Sequence, residues 1–392
     1  MQRSAMSKIV LLPCERLALG RNLHKGWQWL KYTGLHPDLL LISVNQHRFS
    51  EIIRYCFTLL ILLLIAAYDV FELYQLVNKT WSVDKMVEVV PNILFSFFYL
   101  ETLVCEFAMW SRRHQFMELF NDWKIVEMQS KCYCLGEAKR IINVIHMWMV
   151  AYTITGTFLI FMWNMMEPQR SYFLSHYPVV YDSFGLLLIS AVNTFIFSYV
   201  LIMFCWVSLI PAIFFYHVSF LVENLVEEWE CSVRNRESNR LIWVKYEKIL
   251  HLVQRANGLF GTLLTVQHFY QVFGFCLIIY YAMEQSQESP GTFLILVVYL
   301  IYFACQVIGI NWMLSQLYFS TNKLDKSIAD YLSREWYQLG EAERHLFVSF
   351  QTRLDRGDMS VRPMNLFTVC PSNLLSMFAV VLNYLIVLAQ SR

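Results

Sequence analysis

The last apolar stretch of the chain, from Leu366 to Arg392, carries side chains suited to passing ions. Asn383, Ile386 and Gln390 are spaced i, i+3 and i+7, so a helix would place them on one face. Repeated around a symmetric ring of subunits, Ile386 would form an apolar constriction and Gln390 a ring of amides. Apolar constrictions gate by dewetting, and amide oxygens replace part of an ion's hydration shell. The spacing therefore predicts a pore-lining helix contributed by several copies, because one subunit has no room for both a ligand cavity and a pore.

A second set of side chains could line a small-molecule pocket. Aromatic and amide residues gather in the apolar stretches of the middle of the chain: Trp163, Asn164, Ser190, Asn193, Tyr280, Tyr281, Tyr299 and Tyr302. Aromatic walls with a few placed polar groups are typical of such pockets, although Trp and Tyr also collect at membrane interfaces for their own reasons. Both interpretations stay open for each residue.

Carboxyl groups within apolar stretches form a third set. Asp69 and Glu72 lie one helical turn apart near the end of the first stretch, as a polar wall of an open cavity or as ordinary interface residues. Glu101 and Glu106 lie in the second stretch. Because an ionisable group costs at least a few kcal/mol at the bilayer centre, we expect Glu101 to face the other helices and to find a hydrogen-bond partner there.

Enzyme chemistry finds no counterpart in the sequence. It contains no HExxH, GxSxG or GxxxxGK[ST] motif. His146 and His268 have no acidic or Cys partner at ligand spacing, and Cys132 and Cys134 are too close together for a CxxC metal or redox site. We therefore expect no enzyme activity, no bound metal and no cofactor.

The composition indicates what kind of protein must position these residues. Of 392 residues, 57% are hydrophobic and 16% charged, against about 25% charged in soluble domains. Lys plus Arg is 31 and Asp plus Glu is 30, so the basic excess of a nucleic-acid binder is missing. The sequence predicts an all-α membrane protein in which the lipid bilayer is the main partner.

A bilayer core of about 30 Å needs roughly 20 apolar residues in a helix. Seven stretches meet this requirement, and together they predict one domain over residues 1–392. They cover residues 52–76, 87–110, 141–163, 184–216, 259–283, 292–319 and 366–389.

The distribution of positive charge predicts the orientation of these spans. Counted along the chain, alternate connecting segments carry 8, 6, 6 and 7 Lys and Arg residues, and the segments between them carry 2, 1, 0 and 1. The positive-inside rule places the first set in the cytoplasm, with the N-terminus inside and the C-terminus outside. The glycosylation triplet at Asn78 falls in a segment assigned to the outside.

The predicted cytoplasmic connections contain amphipathic helices. Apolar residues recur at helical spacing after the fourth span, before the fifth, after the sixth and from Leu346 to Leu354. These helices would form either a solvated cap or a helical bundle below the membrane through which subunits meet.

The end of the chain resembles the insect gustatory receptors. That family ends in Thr-Tyr, four or five aliphatic residues and Gln-Phe, and this chain has Tyr384 and Gln390 with an aliphatic filling, but Asn383 for Thr and Ser391 for Phe. The segment 363–369 before the last span and the residues around Asn257 and Gly258 before the fifth are also similar.

The resemblance implies a taste receptor in the plasma membrane of a sensory cell. It implies a ligand-gated, non-selective cation channel made of four identical or related subunits, each binding a small-molecule tastant in its first six helices. A bitter or other non-sugar tastant is the expected ligand, Gln390 the expected pore residue and Ile386 the apolar position one turn inward. Insect odorant receptors share the architecture and are the main alternative. A metabotropic receptor, which would have inverted termini, and a transporter, which would have internal repeats, are the others.

Overall fold

The computed structural model describes residues 86–129, 135–166, 183–235, 240–355 and 357–390, and eight single residues between 56 and 74. Those eight are all helical, within the first predicted span: Cys56, Leu60, Leu63, Leu64, Ala66, Ala67, Val70 and Tyr74. Several residues singled out in the sequence lie outside the described residues: Asp69, Glu72, Asn78, Cys132, Cys134 and Ser391.

Helices account for nearly all of the described residues, and no strand occurs among them. Their bounds are α1 Met86–Ser111, α2 Arg113–Gln129, α3 Leu135–Met166, α4 Ser183–Asn235, α5 Arg240–Glu288, α6 Pro290–Glu335, α7 Glu341–Asp355 and α8 Pro371–Gln390, with a 3₁₀ turn at Pro363–Asn365. The all-α fold predicted from composition and periodicity is confirmed.

Helix α4 forms the centre of the molecule. Every residue from 203 to 219 is buried, and α4 packs against α1, α3, α5 and α6. A helix that is apolar on all sides must be enclosed by other elements, and the sequence of α4 has this character. Pro211 lies within the helix, which continues to Asn235.

Four of the described helices contain segments long and apolar enough to cross a membrane: Asn143–Met165, Phe184–Ser232, Leu241–Ser286 and Pro290–Glu335. Three of these helices are much longer than the spans that the sequence predicts within them. The 53 residues of α4 extend roughly 80 Å, more than twice the thickness of a bilayer core. A large part of α4, α5 and α6 therefore projects beyond the apolar layer.

The last helix begins later than the predicted span of 366–389. Residues 366–370 are not helical, and α8 starts at Pro371. Proline disfavours the helical conformation for the residue before it but fits the first turn, where its missing N–H is not needed. The 20 residues of α8 are just long enough to cross a bilayer core.

The projecting parts of α4, α5 and α6 assemble with α7 into a bundle, here called the distal bundle (residues 220–235, 240–256, 320–335 and 341–355). Its centre is aromatic: the Trp229 ring lies edge-on to Tyr331 and Phe347, with centroids 5.3 and 5.4 Å away. Trp243 and Phe350 pack in the same way, 5.0 Å apart. The amphipathic helices of the sequence thus form a packed bundle rather than a solvated cap.

Ion pairs join the helices of the distal bundle at its surface. Lys245 on α5 pairs with Glu228 on α4 at 2.5 Å, and Arg353 on α7 pairs with Glu247 on α5. Because these side chains are about a quarter to two-fifths exposed, each pair adds little to stability, and the buried aromatic residues hold the bundle together.

Replacing the central tryptophan tests this interpretation. Trp229 is 1% exposed, so Trp229→Ala leaves a cavity between three helices and is expected to lower the free energy of unfolding by about 3–5 kcal/mol. The measurement is thermal unfolding of the purified protein in detergent. Tyr337→Ala is the matched control, since Tyr337 is 91% exposed and its loss should leave the midpoint nearly unchanged. Equal midpoints for both variants would contradict the assignment of Trp229 to the core.

Candidate functional site

An apolar cavity lies in the half of the molecule remote from the distal bundle. Five helices line it: α1 with Leu94 and Phe98, α3 with Gly156, Leu159, Ile160 and Trp163, α4 with Phe197, α5 with Tyr270 and Tyr281, and α6 with Ile295, Leu296 and Tyr299. Its free volume is about 40 Å³, far below the roughly 300–1,000 Å³ typical of ligand pockets. The structure therefore has a closed cavity that side chains must open before a ligand enters.

Three of the predicted pocket residues, Trp163, Tyr281 and Tyr299, lie in the wall of this cavity. The rings of Trp163 and Tyr281 contact each other with centroids 6.3 Å apart, which joins the ends of α3 and α5. Residues from three helices that are far apart in the sequence thus meet at one place.

The other predicted pocket residues lie elsewhere. Asn164 is buried beside Trp163 but does not line the cavity, and Asn193 and Ser190 are on α4 away from its wall. Tyr302 stacks on Trp148 at 5.2 Å, and Tyr280 lies near Tyr384 on α8. A position near the end of a span therefore did not by itself identify a cavity residue.

The sequence interpretation missed Phe98 and Tyr270, the aromatic residues at the narrow part of the cavity. Their centroids are 5.8 Å apart, and Phe98 also contacts Phe204 on α4 at 5.2 Å. The helical spacing of Leu94 and Phe98 is a signal for a shared inward face, but it does not indicate which helices that face meets. Gly156 was missed too: a Cβ atom there would lie 2.8 Å from the Leu201 side chain, so glycine allows α3 to approach α4.

A layer of polar side chains lies between the cavity and the distal bundle. His268 Nδ1 is 2.7 Å from the carbonyl oxygen of Leu264, and Nε2 is 3.0 Å from Asn311 Oδ1. The Asn311 amide donates to the carbonyl oxygen of Val307 at 2.9 Å and to Gln271 Oε1 at 3.4 Å. These contacts join α5 to α6, and the His268 ring also contacts Phe367, 5.3 Å away, in the segment that leads to α8.

That connecting segment is fixed to α5 by Asn257 and Gly261. The Asn257 side chain donates to the Ser360 carbonyl at 2.7 Å and accepts from the Arg362 N–H at 2.9 Å. Met364 has φ of 44°, and a Cβ atom on Gly261 would lie 3.0 Å from its backbone nitrogen. Glycine at 261 therefore permits a close approach that a larger residue would disturb.

Helix α8 packs by one side only. Leu374, Met377, Val381, Tyr384 and Leu385 form the side that packs against the core. Asn383, Ile386 and Gln390 are exposed on the opposite side of the helix, with Ile386 45% exposed. All three predicted pore residues therefore face away from the body of the subunit.

A series of aromatic contacts connects the cavity with α8. Tyr299 in the cavity wall stacks on Phe303, with centroids 6.4 Å apart. Phe303 contacts Phe275 at 4.8 Å, and Phe275 contacts Phe378 on α8 at 6.2 Å. A displacement of Tyr299 by a ligand would therefore be transmitted to the last helix through packed rings.

Residues 42–392 match the family model of the 7tm chemosensory receptors. The chain belongs to the 7tm chemosensory receptor family. This is a family of membrane chemoreceptors, and the apolar helices agree with such an environment. No curated protein sequence matches the receptor.

Two solved structures of an insect olfactory receptor are similar to this receptor. Olfactory receptor OR5 from Machilis hrabei has a TM-score of 0.63 and 17% identity, and the match covers 95% of this chain and 100% of that one. Its complex with eugenol has a TM-score of 0.65 and 16% identity over the same shares of the two chains. At this identity the likeness establishes that the fold is that of the insect seven-helix receptors.

The attachment of the connecting segment to α5 gives a second prediction. Asn257→Ala removes both hydrogen bonds to residues 360–362, at an expected cost of about 1–3 kcal/mol to the local structure. Amide hydrogen exchange in residues 357–369 should accelerate roughly tenfold. Gln254→Ala, one turn earlier and exposed, is the control and should leave the exchange rate unchanged. Unchanged exchange in Asn257→Ala would show that the segment does not depend on this side chain.

Proposed function

We propose that this receptor is a gustatory receptor subunit, four of which form a ligand-gated, non-selective cation channel. The observation that carries the proposal is the arrangement of α8. Its apolar side is used within the subunit, and its opposite side presents Asn383, Ile386 and Gln390. In a four-fold ring with these sides inward, Ile386 forms an apolar gate and Gln390 an amide ring near the mouth of the pore.

The charge distribution supports a cytoplasmic N-terminus and an extracellular C-terminus in the plasma membrane of a chemosensory cell. In this orientation the distal bundle is cytoplasmic, the cavity lies in the outer half of the membrane, and Asn78 is an extracellular glycosylation site. The subunits are identical or include related receptors. Asp69 and Glu72 would lie near the outer opening of the first helix, as further pocket residues.

Gating would begin at the closed cavity. A tastant must enlarge a space of about 40 Å³, which requires that Phe98, Tyr270 or Tyr299 move. Because Tyr299 is packed on Phe303, and Phe303 on Phe275, its movement would change the packing of Phe378 and hence the position of α8. Bitter or other non-sugar molecules suit this cavity, since its wall is aromatic and aliphatic rather than rich in hydroxyl and amide groups.

Odorant detection is the second candidate function. It is favoured by the likeness to olfactory receptor OR5 of Machilis hrabei, one structure of which contains eugenol. The Tyr384 and Gln390 pattern at the end of α8 favours the gustatory subtype instead. Responses to dissolved non-volatile tastants, compared with volatile odorants, distinguish the two subtypes.

The pore assignment is tested by whole-cell current in a heterologous cell challenged with bitter compounds, sugars and odorants. Gln390→Ala should change the ratio of cation permeabilities, because it removes the amide ring. Ile386→Ala should increase current without ligand, because it widens the apolar constriction. Val380→Ala is the control, since Val380 is exposed on α8 but turned about 100° away from the shared face.

A C-terminal tag labelled on intact cells verifies surface expression and orientation in the same cells. An evoked current whose permeability and basal level are both indifferent to Gln390→Ala and Ile386→Ala would contradict the pore assignment. A response that requires G-protein coupling would contradict the channel itself.

The aromatic series predicts a variant that binds ligand but opens poorly. Phe275→Leu keeps an apolar side chain but shortens its contact with Phe378, so the maximal current should fall several-fold while the permeability ratio stays unchanged. Phe273→Leu is the matched control on α5, because Phe273 is 42% exposed and contacts Phe97 instead of α8. Equal maximal currents in the two variants would mean that the cavity is coupled to α8 by another route.

A further inference from the structure

A buried carboxyl group lies directly beneath the cavity. Glu101 is 5% exposed, and its position on α1 is i+3 from Phe98 and i+7 from Leu94, so it shares their inward face. The sequence predicts a hydrogen-bond partner for it, but Oε2 has none among the described residues. The prediction that Glu101 faces the helix bundle is confirmed, and the prediction of a partner for this oxygen is wrong.

The groups around Glu101 come from three other helices. Its carboxyl interacts electrostatically with Cys205 on α4, Tyr270 on α5 and Tyr299 on α6. Tyr270 and Tyr299 also line the cavity. Glu101 is therefore joined to the cavity through two of its wall residues and lies at its inner end.

No basic residue of these helices is close enough in sequence to neutralise the carboxylate. The apolar stretches 87–110, 141–163, 184–216, 259–283 and 292–319 contain no Lys or Arg. A carboxylate held in a membrane interior without a cation is costly, and such groups usually mark a binding site or a pathway. The missing positive charge has to come from outside the described chain, and the cavity leads to this position.

The cavity wall is suited to the rest of a cationic molecule. The faces of Phe98, Tyr270, Tyr299 and Trp163 surround the space above Glu101. Aromatic faces attract ammonium groups, and apolar walls accept an aryl or alkyl body. A neutral ligand would use the walls but would leave the carboxyl oxygen without a partner.

We propose that the cavity recognises small organic cations, namely protonated arylalkyl amines, whose ammonium N–H donates to the carboxylate of Glu101. This inference rests on the proposed function only in taking the cavity as the ligand site. The aromatic wall holds the body of the ligand, and Glu101 selects amines over neutral molecules of the same size. Ligand entry then also displaces Tyr299, the first ring of the series that leads to α8.

Binding is tested on the full-length receptor, purified in detergent, by ligand-induced thermal stabilisation. The probes are 2-phenylethylammonium and 2-phenylethanol, together with the corresponding 3-phenylpropyl pair, because each pair has equal size and differs in charge. The wild type should bind each amine about tenfold more tightly than its alcohol, since hydrogen bonds to charged groups are stronger than neutral ones. Glu101→Gln should lower the affinity for the amines about tenfold and change that for the alcohols less than about twofold.

Two further variants separate charge from folding. Glu101→Asp keeps the carboxylate and should keep the preference for amines, in weaker form. Glu223→Gln removes a carboxylate on α4 that accepts a hydrogen bond from Ser320 at 3.1 Å, far from the cavity, and should leave the preference intact. The proposal is overturned if the wild type binds neither amine better than its alcohol, or if Glu101→Gln keeps the preference.

The same probes applied to cells distinguish this inference from the proposed function. Binding with the amine preference but no evoked current in surface-expressed receptor would argue against the channel and leave the recognition by Glu101 standing. Current evoked by the alcohols as readily as by the amines, and unchanged in Glu101→Gln, would support the channel and remove Glu101 from ligand selection.

Discussion

The structure depends on the burial of α4. A helix with apolar residues on every side has to be enclosed, and α1, α3, α5 and α6 enclose it over the whole of residues 203–219. Because α4 continues far beyond a bilayer core, its neighbours α5 and α6 continue with it and bring α7 against their projecting parts. The membrane region and the distal bundle thus share one continuous core.

The same packing explains where the cavity forms and why it is narrow. Large aromatic side chains from five helices converge on the half of α4 that precedes residue 203, and Gly156 lets α3 approach closely there. Rings fill most of the space, so that only about 40 Å³ stays free. A site of this kind combines ligand recognition with mechanical coupling, because any molecule that enters must displace rings that also pack on α5 and α6.

Polar groups within the apolar layer fall into two kinds. His268, Asn311 and Gln271 bond with one another and with helix carbonyls, which compensates their burial and ties α5 to α6 next to the segment before α8. Glu101 has an oxygen without such compensation. Since the cost of an unpartnered polar group is high away from water, the first kind is expected to be structural and the second to be functional.

The sequence by itself determined the membrane class, the helical fold, the amphipathic stripes of the distal bundle and the common face of Asn383, Ile386 and Gln390. These are local properties, since hydropathy and helical period act over one or two turns. Only the tertiary structure decided that Trp163, Tyr281 and Tyr299 line the cavity while Asn164, Asn193, Tyr280 and Tyr302 do not. It also decided that Phe98 and Tyr270 join them, that Glu101 Oε2 has no partner and that α8 begins at Pro371. The reason is that a helix face acquires its neighbours from the rotation and crossing of other helices, which long-range packing sets and sequence spacing does not contain.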